Sequence, residues 1–249
     1  AAAKILGDQE DPLGTFRANV LGLANILEAA RKEKVERVVS ISTAGVYGRR
    51  DDLAPLAEDL PMRPEDTYEH TKAQGESLVR MYRERYSLDV RIVRFPFLYG
   101  PKQYVVWPLN IVLYHALEAK PLELSQGGDY ALEYLFVKDA AFGTILALEA
   151  KGAKGETFNI GTGKTTSTFE VARAVKNLYP SFEYEIGPGL WPSEILNAWR
   201  RGPLDISKAE EIGYRPKYGI NEGLRELDEW VRTHPDEYRK WPKNDLWIV

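Results

Sequence analysis

The sequence predicts an α/β fold built on a parallel β-sheet, and two observations carry that reading. Through the first hundred residues, helical and strand patterns alternate in the order helix, strand, helix, strand. Strands joined by helix-length crossovers form parallel sheets with right-handed connections. The strand segments are also short and rich in Val and Ile, as buried parallel strands are.

The first helix is read over residues 12–34, where Phe16, Val20, Leu23, Leu27 and Ala30 recur at spacings of three and four. Asp11 is its N-cap and Pro12 its first helical residue. Residues 37–42 form a short buried strand, and a loop rich in Gly, Asp and Pro runs over 44–66. A second helix spans 67–86, opened by the capping pattern Asp66-x-x-Glu69, and the next strand covers 89–95. The second half is less regular. Helices are expected over 110–119, 139–150, 205–212 and 221–233, with another running from the Ser167-x-x-Glu170 capping pattern to Leu178. Strands are expected over 132–137 and 156–160. The expected organisation is an incomplete sheet domain over 1–105 and a smaller mixed part over 106–249, with segments near 132–165 returning to the sheet domain.

A chain of 249 residues can bury one large core, alone or with an appendage. Apolar residues make up 44% and charged residues 28%, the balance of a soluble globular protein. The net charge of −4 with both signs interspersed gives no basic footprint for nucleic acid. No apolar run approaches the ~20 residues that span a bilayer, and nothing near the start resembles a signal peptide. The absence of cysteine excludes disulfides, zinc–thiolate sites and Cys nucleophiles, and suits a cytoplasmic enzyme. His70, His115 and His234 are scattered, so no His-based metal site is expected.

Tyr68 and Lys72 lie four residues apart on a predicted helix, and therefore on one face. An ammonium beside a phenol favours phenolate, which lowers the Tyr pKa from about 10 towards the working pH. A phenolate so placed can take the proton of a substrate hydroxyl while a hydride leaves the same carbon. Thr43, at a predicted strand end, can hold the substrate oxygen. A second pair at this spacing, Tyr134 and Lys138, has no Ser or Thr strand end at a matching distance and reads as structural. Gly161-Thr162-Gly163-Lys164-Thr165 imitates a phosphate loop, but Phe158 stands where a Walker motif needs Gly, so it reads as a strand-to-helix turn. Trp191, Trp199, Trp230, Trp241 and Trp247 cluster late, and packing explains them more simply than base stacking.

The company of Tyr68 and Lys72 is more specific than their spacing. Asp11-Pro12, Asn19-Val20-x-Gly22-x-x-Asn25-x-Leu27-Glu28-Ala29-Ala30, Val35-x-Arg37-Val38-Val39, Ser42-Thr43-x-x-Val46-Tyr47-Gly48 and Pro61 precede or surround them. Arg94-Phe95-Pro96-Phe97-Leu98-Tyr99-Gly100-Pro101, Val137-Lys138-Asp139, Phe158-Asn159-Ile160-Gly161 and Leu204-Asp205-x-Ser207-Lys208-Ala209 follow. In this order the pieces resemble the extended short-chain dehydrogenase/reductases, the NAD-dependent epimerase/dehydratase family that includes UDP-glucose 4-epimerase-like enzymes. The resemblance implies a Rossmann-like sheet domain with a mixed C-terminal substrate-binding part, and NAD as cofactor. It implies Tyr68 as base, Lys72 as its electrostatic partner and ribose ligand, and Thr43 as the substrate-positioning hydroxyl. Asn19, Phe95 and Pro96 would approach the cofactor, and Ala1, Ala2, Ala3 and Lys4 resemble the end of a strand segment that lines it. Family members commonly dimerise through the two helices that here span 12–34 and 67–86.

Three departures shape the expectation. The family's Gly-x-x-Gly-x-x-Gly turn, whose helix N-terminus receives the pyrophosphate, does not occur, and its counterpart would precede Ala1. The sheet domain is therefore read as N-terminally truncated. Ala44 and Gly45 stand where the 4,6-dehydratases carry an Asp-Glu pair, which disfavours elimination. Phe97 replaces the usual Asn and Leu132 the usual Arg of a diphosphate site, whereas Arg200 or Arg201 matches another phosphate-binding Arg. The expected function is an NAD-dependent epimerase of a sugar or nucleotide sugar. A sugar or sugar-acid dehydrogenase or reductase of the same family, and a non-catalytic fragment, are the alternatives.

Overall fold

The computed structural model describes residues 11–103, 107–191 and 200–240. The chain begins with Pro12–Phe16 (α1), a π-helical turn at Arg17–Leu21, and Gly22–Lys32 (α2). Val38–Thr43 (β1) ends in a short 3-10 helix, Ala44–Tyr47. Thr67–Tyr86 (α3) leads into Val90–Phe95 (β2) and Phe97–Tyr99 (β3). Pro108–Leu117 (α4), Leu122–Leu124 (β4), Ala131–Leu132 (β5), Tyr134–Phe136 (β6) and Val137–Glu149 (α5) follow. The later elements are Thr157–Asn159 (β7), Thr166–Ser167 (β8), Thr168–Leu178 (α6) and Tyr184–Ile186 (β9). Ser207–Glu211 (α7), Ile220–Thr233 (α8) and Pro235–Tyr238 (α9) complete the described chain.

The main sheet is parallel, in the order β1-β2-β7, with Thr43 beside Phe95 and Arg94 beside Asn159 at its C-terminal edge. β2 is buried along its whole length, as its run Val-Arg-Ile-Val-Arg-Phe requires of a central strand. Its two arginines are neutralised rather than exposed. Arg91 donates to the carbonyls of Ala147, Leu148 and Ala150 at the C-terminus of α5, where the helix leaves acceptors unpaired, and also pairs with Asp89. Arg94 binds Glu76 of α3 through the Nε–Nη2 edge of its guanidinium, at 2.9 and 2.7 Å. The same carboxylate accepts from Ser42 of β1 at 2.6 Å, and Arg94 donates on to the Tyr47 hydroxyl at 2.6 Å. Tyr47 in turn donates to Asn159 of β7. One polar network therefore ties α3 to all three strands.

The alternating pattern of the first half is reproduced, with differences of physical origin. The first helix carries the unforeseen π-helical turn, which sets Asn19 against α3. β1 is not buried as expected: it lies at the edge of the described sheet, and Ile41 is 42% exposed. The strand expected over 132–137 is two strands with different partners, β5 pairing β8 and β6 pairing β3. The break falls at Glu133, whose buried carboxylate needs donors that a continuous strand would not supply. β3, β4, β9 and α9, too short to show a period, were not foreseen.

Glu76→Ala would leave the Arg94 charge buried without its partner. The expected loss is about 3–5 kcal/mol, read as a lowered urea midpoint; a loss below about 1 kcal/mol would show that the pair does not hold the sheet to α3.

Candidate active site

The C-terminal edge of a parallel sheet is where open α/β folds bind ligands, because strand ends and helix N-termini converge there. β1 delivers Thr43 to that edge, and the Thr43 hydroxyl accepts from the Gly45 amide at 3.1 Å to start the 3-10 helix. Helix α3 starts beside it. The Asp66 side chain accepts from the Glu69 amide at 2.7 Å, as the sequence pattern implies. The reciprocal bond of a capping box is displaced: Glu69 accepts from the Glu65 amide instead, and its other oxygen binds Arg201.

The first turns of α3 present Tyr68 and Lys72 to the Thr43 strand end. The Tyr68 phenol lies beside the Thr43 hydroxyl, which favours its ionised form. The Lys72 ammonium lies over the Tyr68 ring, 5.8 Å from its centroid, and donates to the Ile41 carbonyl at 2.9 Å. Asn19 reaches the same turn and donates to the Thr71 hydroxyl at 3.0 Å, which itself donates to the Tyr68 carbonyl. Tyr68, Lys72, Thr43 and Asn19 are thus brought together.

The electrostatics differ from the expectation. Burial pushes the Tyr68 phenol well above the usual tyrosine range, and the Thr43 hydrogen bond offsets only part of that rise. Burial also lowers the Lys72 ammonium below its ordinary value, with Glu76 one turn on pulling the other way. The expected lowering of Tyr68 by Lys72 is therefore corrected. Desolvation disfavours both charged forms and outweighs the attraction of an ammonium that lies over the ring face and is engaged by a carbonyl.

The remaining site residues are placed less uniformly. Phe95 is beside Thr43 in register, but its ring is buried in the core with Val93, Leu135 and Phe158. Pro96 follows at the turn between β2 and β3, and the Phe97 ring packs edge-on against Trp107 at 4.8 Å. Leu132 is buried in the C-terminal core. Arg200 is half-buried and lies 4.0 Å from Asp51. Ala1, Ala2, Ala3 and Lys4 fall outside the described residues, as do Trp199, Trp241 and Trp247.

The two look-alike motifs have structural explanations. Tyr134 is buried, whereas Lys138 is at the surface and paired with Glu226. In the turn after Ile160, the amides of Thr162 and Gly163 donate to Glu133 at 2.6 and 2.9 Å, so an internal carboxylate takes the place of a phosphate. The other Glu133 oxygen accepts from the Leu204 amide at 2.7 Å. Sequence reading offered Arg201 only as an alternative to Arg200 for a phosphate, and did not foresee that it is 7% exposed and binds both Glu69 and the Ala44 carbonyl. Its only signal was a pair of adjacent arginines before Gly202, of which the first looked the better ligand.

Known proteins share the sequence family and the fold. The family model described as "NAD dependent epimerase/dehydratase family" matches residues 1–161. A putative UDP-glucose 4-epimerase of Methanocaldococcus jannaschii is 30% identical over 243 residues, covering 94% of this chain and 75% of that protein. The solved UDP-glucose 4-epimerase of Thermotoga maritima with UDP-glucose superposes with a TM-score of 0.82 at 26% identity, covering 94% of this chain and 76% of that one. The Thermus thermophilus UDP-glucose 4-epimerase complex with NAD gives 0.78 at 30% identity, covering 93% and 75%.

Burial pushes the Glu133 carboxyl up to about 7, against the pull of its backbone hydrogen bonds. A carboxyl whose folded value lies above its unfolded 4.5 binds its proton more tightly in the folded state, so stability falls as pH rises from about 4.5 to about 7 and levels beyond. Glu133→Gln should flatten this part of the profile in urea unfolding at pH 5 and pH 8. An unchanged difference between the two pH values would count against it.

Proposed function

We propose a reaction from one premise: the chain belongs to the NAD-dependent epimerase/dehydratase family. It is an isomerase that inverts a carbinol centre of a nucleotide sugar by oxidising it to a ketone and reducing it again from the other face. The observation that carries this reading is the Tyr68 phenol beside the Thr43 hydroxyl at the sheet edge, with the Lys72 ammonium over the same ring one turn along the helix.

The donor set fits a nicotinamide cofactor. Lys72 spends one N–H on the Ile41 carbonyl and has two more for ribose hydroxyls. When bound, the oxidised nicotinamide supplies the hydride acceptor and later donor, and its positive charge favours the phenolate. Thr43 and Tyr68 together mark the place of a single alcohol oxygen, because two neighbouring hydroxyls can both reach one further oxygen. Tyr68 takes the hydroxyl proton as the carbinol is oxidised, and Thr43 donates to the oxygen that becomes the ketone. Tyr68 then returns the proton to the same oxygen after the sugar has presented its opposite face. Arg200, on the segment that follows the C-terminal core, is the candidate ligand for the nucleotide phosphates.

Elimination is disfavoured by the site itself. A Cβ on Gly45 would lie 2.8 Å from a Glu69 carboxylate oxygen, so a side chain at that position would have to displace Glu69. The substrate class rests on the relatives, two of which are solved UDP-glucose 4-epimerases. The chain further works as a homodimer through α1, α2 and α3, whose described faces leave Leu13, Phe16, Leu21, Ile26, Met81 and Tyr86 exposed. No helix among the described residues is long and apolar enough to cross a membrane.

Two measurements test the proposal. With UDP-galactose as probe, the chain should form UDP-glucose without net NADH, and Tyr68→Phe should lower turnover by about 10²–10⁴-fold. Stoichiometric NADH would make it a dehydrogenase instead, and an active Tyr68→Phe would remove Tyr68 from the chemistry. In light scattering the chain should run at twice its mass, with Ile26→Asp reducing it to one chain; a monomer at all concentrations would refute the dimer.

A further inference from the structure

Arg201 is a buried cation with no part in the reaction as described, yet it touches the neighbours of both hydroxyls that perform it. Its Nη1 donates to the carbonyl of Ala44, the residue after Thr43, at 2.7 Å. Its Nη2 donates to the carboxylate of Glu69, the residue after Tyr68, at 2.9 Å. Glu69 is 3% exposed, so the ion pair is closed to water, where neither charge would stay without the other. The packing confirms that little slack exists. Glu69 fills the space that a side chain on Gly45 would need, and its second oxygen accepts from the Glu65 amide.

The segment that carries Arg201 is itself anchored. The Arg50 amide donates to the Arg200 carbonyl, and the Leu56 amide to the Pro203 carbonyl. Leu204 donates its amide to Glu133. A Cβ on Gly202 would lie 2.1 Å from the Ala54 carbonyl, so the backbone passes there at a distance only glycine permits. The guanidinium therefore projects from a fixed base.

We propose that Arg201 is a positioning residue: by holding the residue after each of them, its guanidinium sets the separation of the Thr43 and Tyr68 hydroxyls. This rests on the catalytic reading of those two residues. A planar fork suits the task because its two nitrogens fix two acceptors at one spacing, whereas a lysine offers a single nitrogen on a flexible stem. Because Arg200 precedes it, the same segment links the candidate phosphate ligand to the reacting hydroxyls.

The test compares Arg201→Lys, Glu69→Gln, their combination and Tyr68→Phe with the wild type, using UDP-galactose as probe and thermal unfolding to check the fold. Loss of the fixed spacing should lower kcat by about 10- to 100-fold, with KM changed by less than about threefold. Since the two side chains act as one unit, the double variant should be about as slow as Arg201→Lys alone. Should Arg201→Lys fail to fold, Glu69→Gln carries the same kcat comparison. A kcat within about threefold of wild type beside an inactive Tyr68→Phe would overturn the positioning role and leave the catalytic reading standing. A loss confined to KM would also overturn it, since Arg201 would then be a substrate ligand. An active Tyr68→Phe would bring down the catalytic reading and the positioning role with it. If the wild type does not convert the probe, hydrogen exchange decides. Faster exchange in both 43–48 and 65–72 on Arg201→Lys supports the bridge, and a change in one or neither overturns it.

Discussion

The bidentate ion pair between Glu76 and Arg94 is the constraint on which the rest of the arrangement depends. Both side chains are almost fully buried, so each charge is tolerable only with the other in place and with its remaining hydrogen-bond capacity filled. Ser42, Tyr47 and the Glu58 carbonyl fill it. Tyr47 passes the network to Asn159, whose amide donates to the Leu56 and Asp205 carbonyls. A single set of polar bonds thus reaches from β1 through β2 to β7 and out to the segment before α7. Because these bonds are directional, they select one rotation of α3, where apolar packing alone would tolerate several.

That rotation decides the chemistry. Glu76, Lys72 and Tyr68 follow one another at four-residue intervals, so pinning Glu76 to β2 aims Lys72 at the Ile41 carbonyl and Tyr68 at Thr43. The price of this placement is desolvation, which raises the phenol and lowers the ammonium when the two are considered among the chain's own groups. A site tuned only by its own residues would hold Tyr68 neutral. On the proposed reading, the positive charge of a bound oxidised nicotinamide would favour the phenolate that base catalysis requires.

Buried carboxylates recur as structural ties in this chain. Glu76 joins a helix to two strands, Glu133 joins a turn to the segment at Leu204, and Glu69 joins α3 to Arg201. In each case one side chain spans parts of the chain remote in sequence, a task that the local hydrogen bonds of a helix cannot perform. The Glu133 tie also explains why a phosphate-loop look-alike needs no phosphate: its amides already donate to a carboxyl oxygen.

Much of this was legible in the sequence, and the boundary of what was legible is physical. Periodicity and capping residues determined α3, α6 and the order of the main-sheet elements, because those depend on neighbours three or four residues away. Ordered motifs around Thr43, Tyr68 and Lys72 determined the family and pointed to the groups proposed to react. Only the tertiary structure decided that Glu133 interrupts a strand, that Glu69 abandons its capping partner, and that the buried member of the Arg200–Arg201 pair is the second. Those outcomes turn on which buried charge finds a partner across the fold. The pKa directions of Tyr68 and Lys72 belong to the same class, since spacing reveals the nearby charge but not the water removed from it.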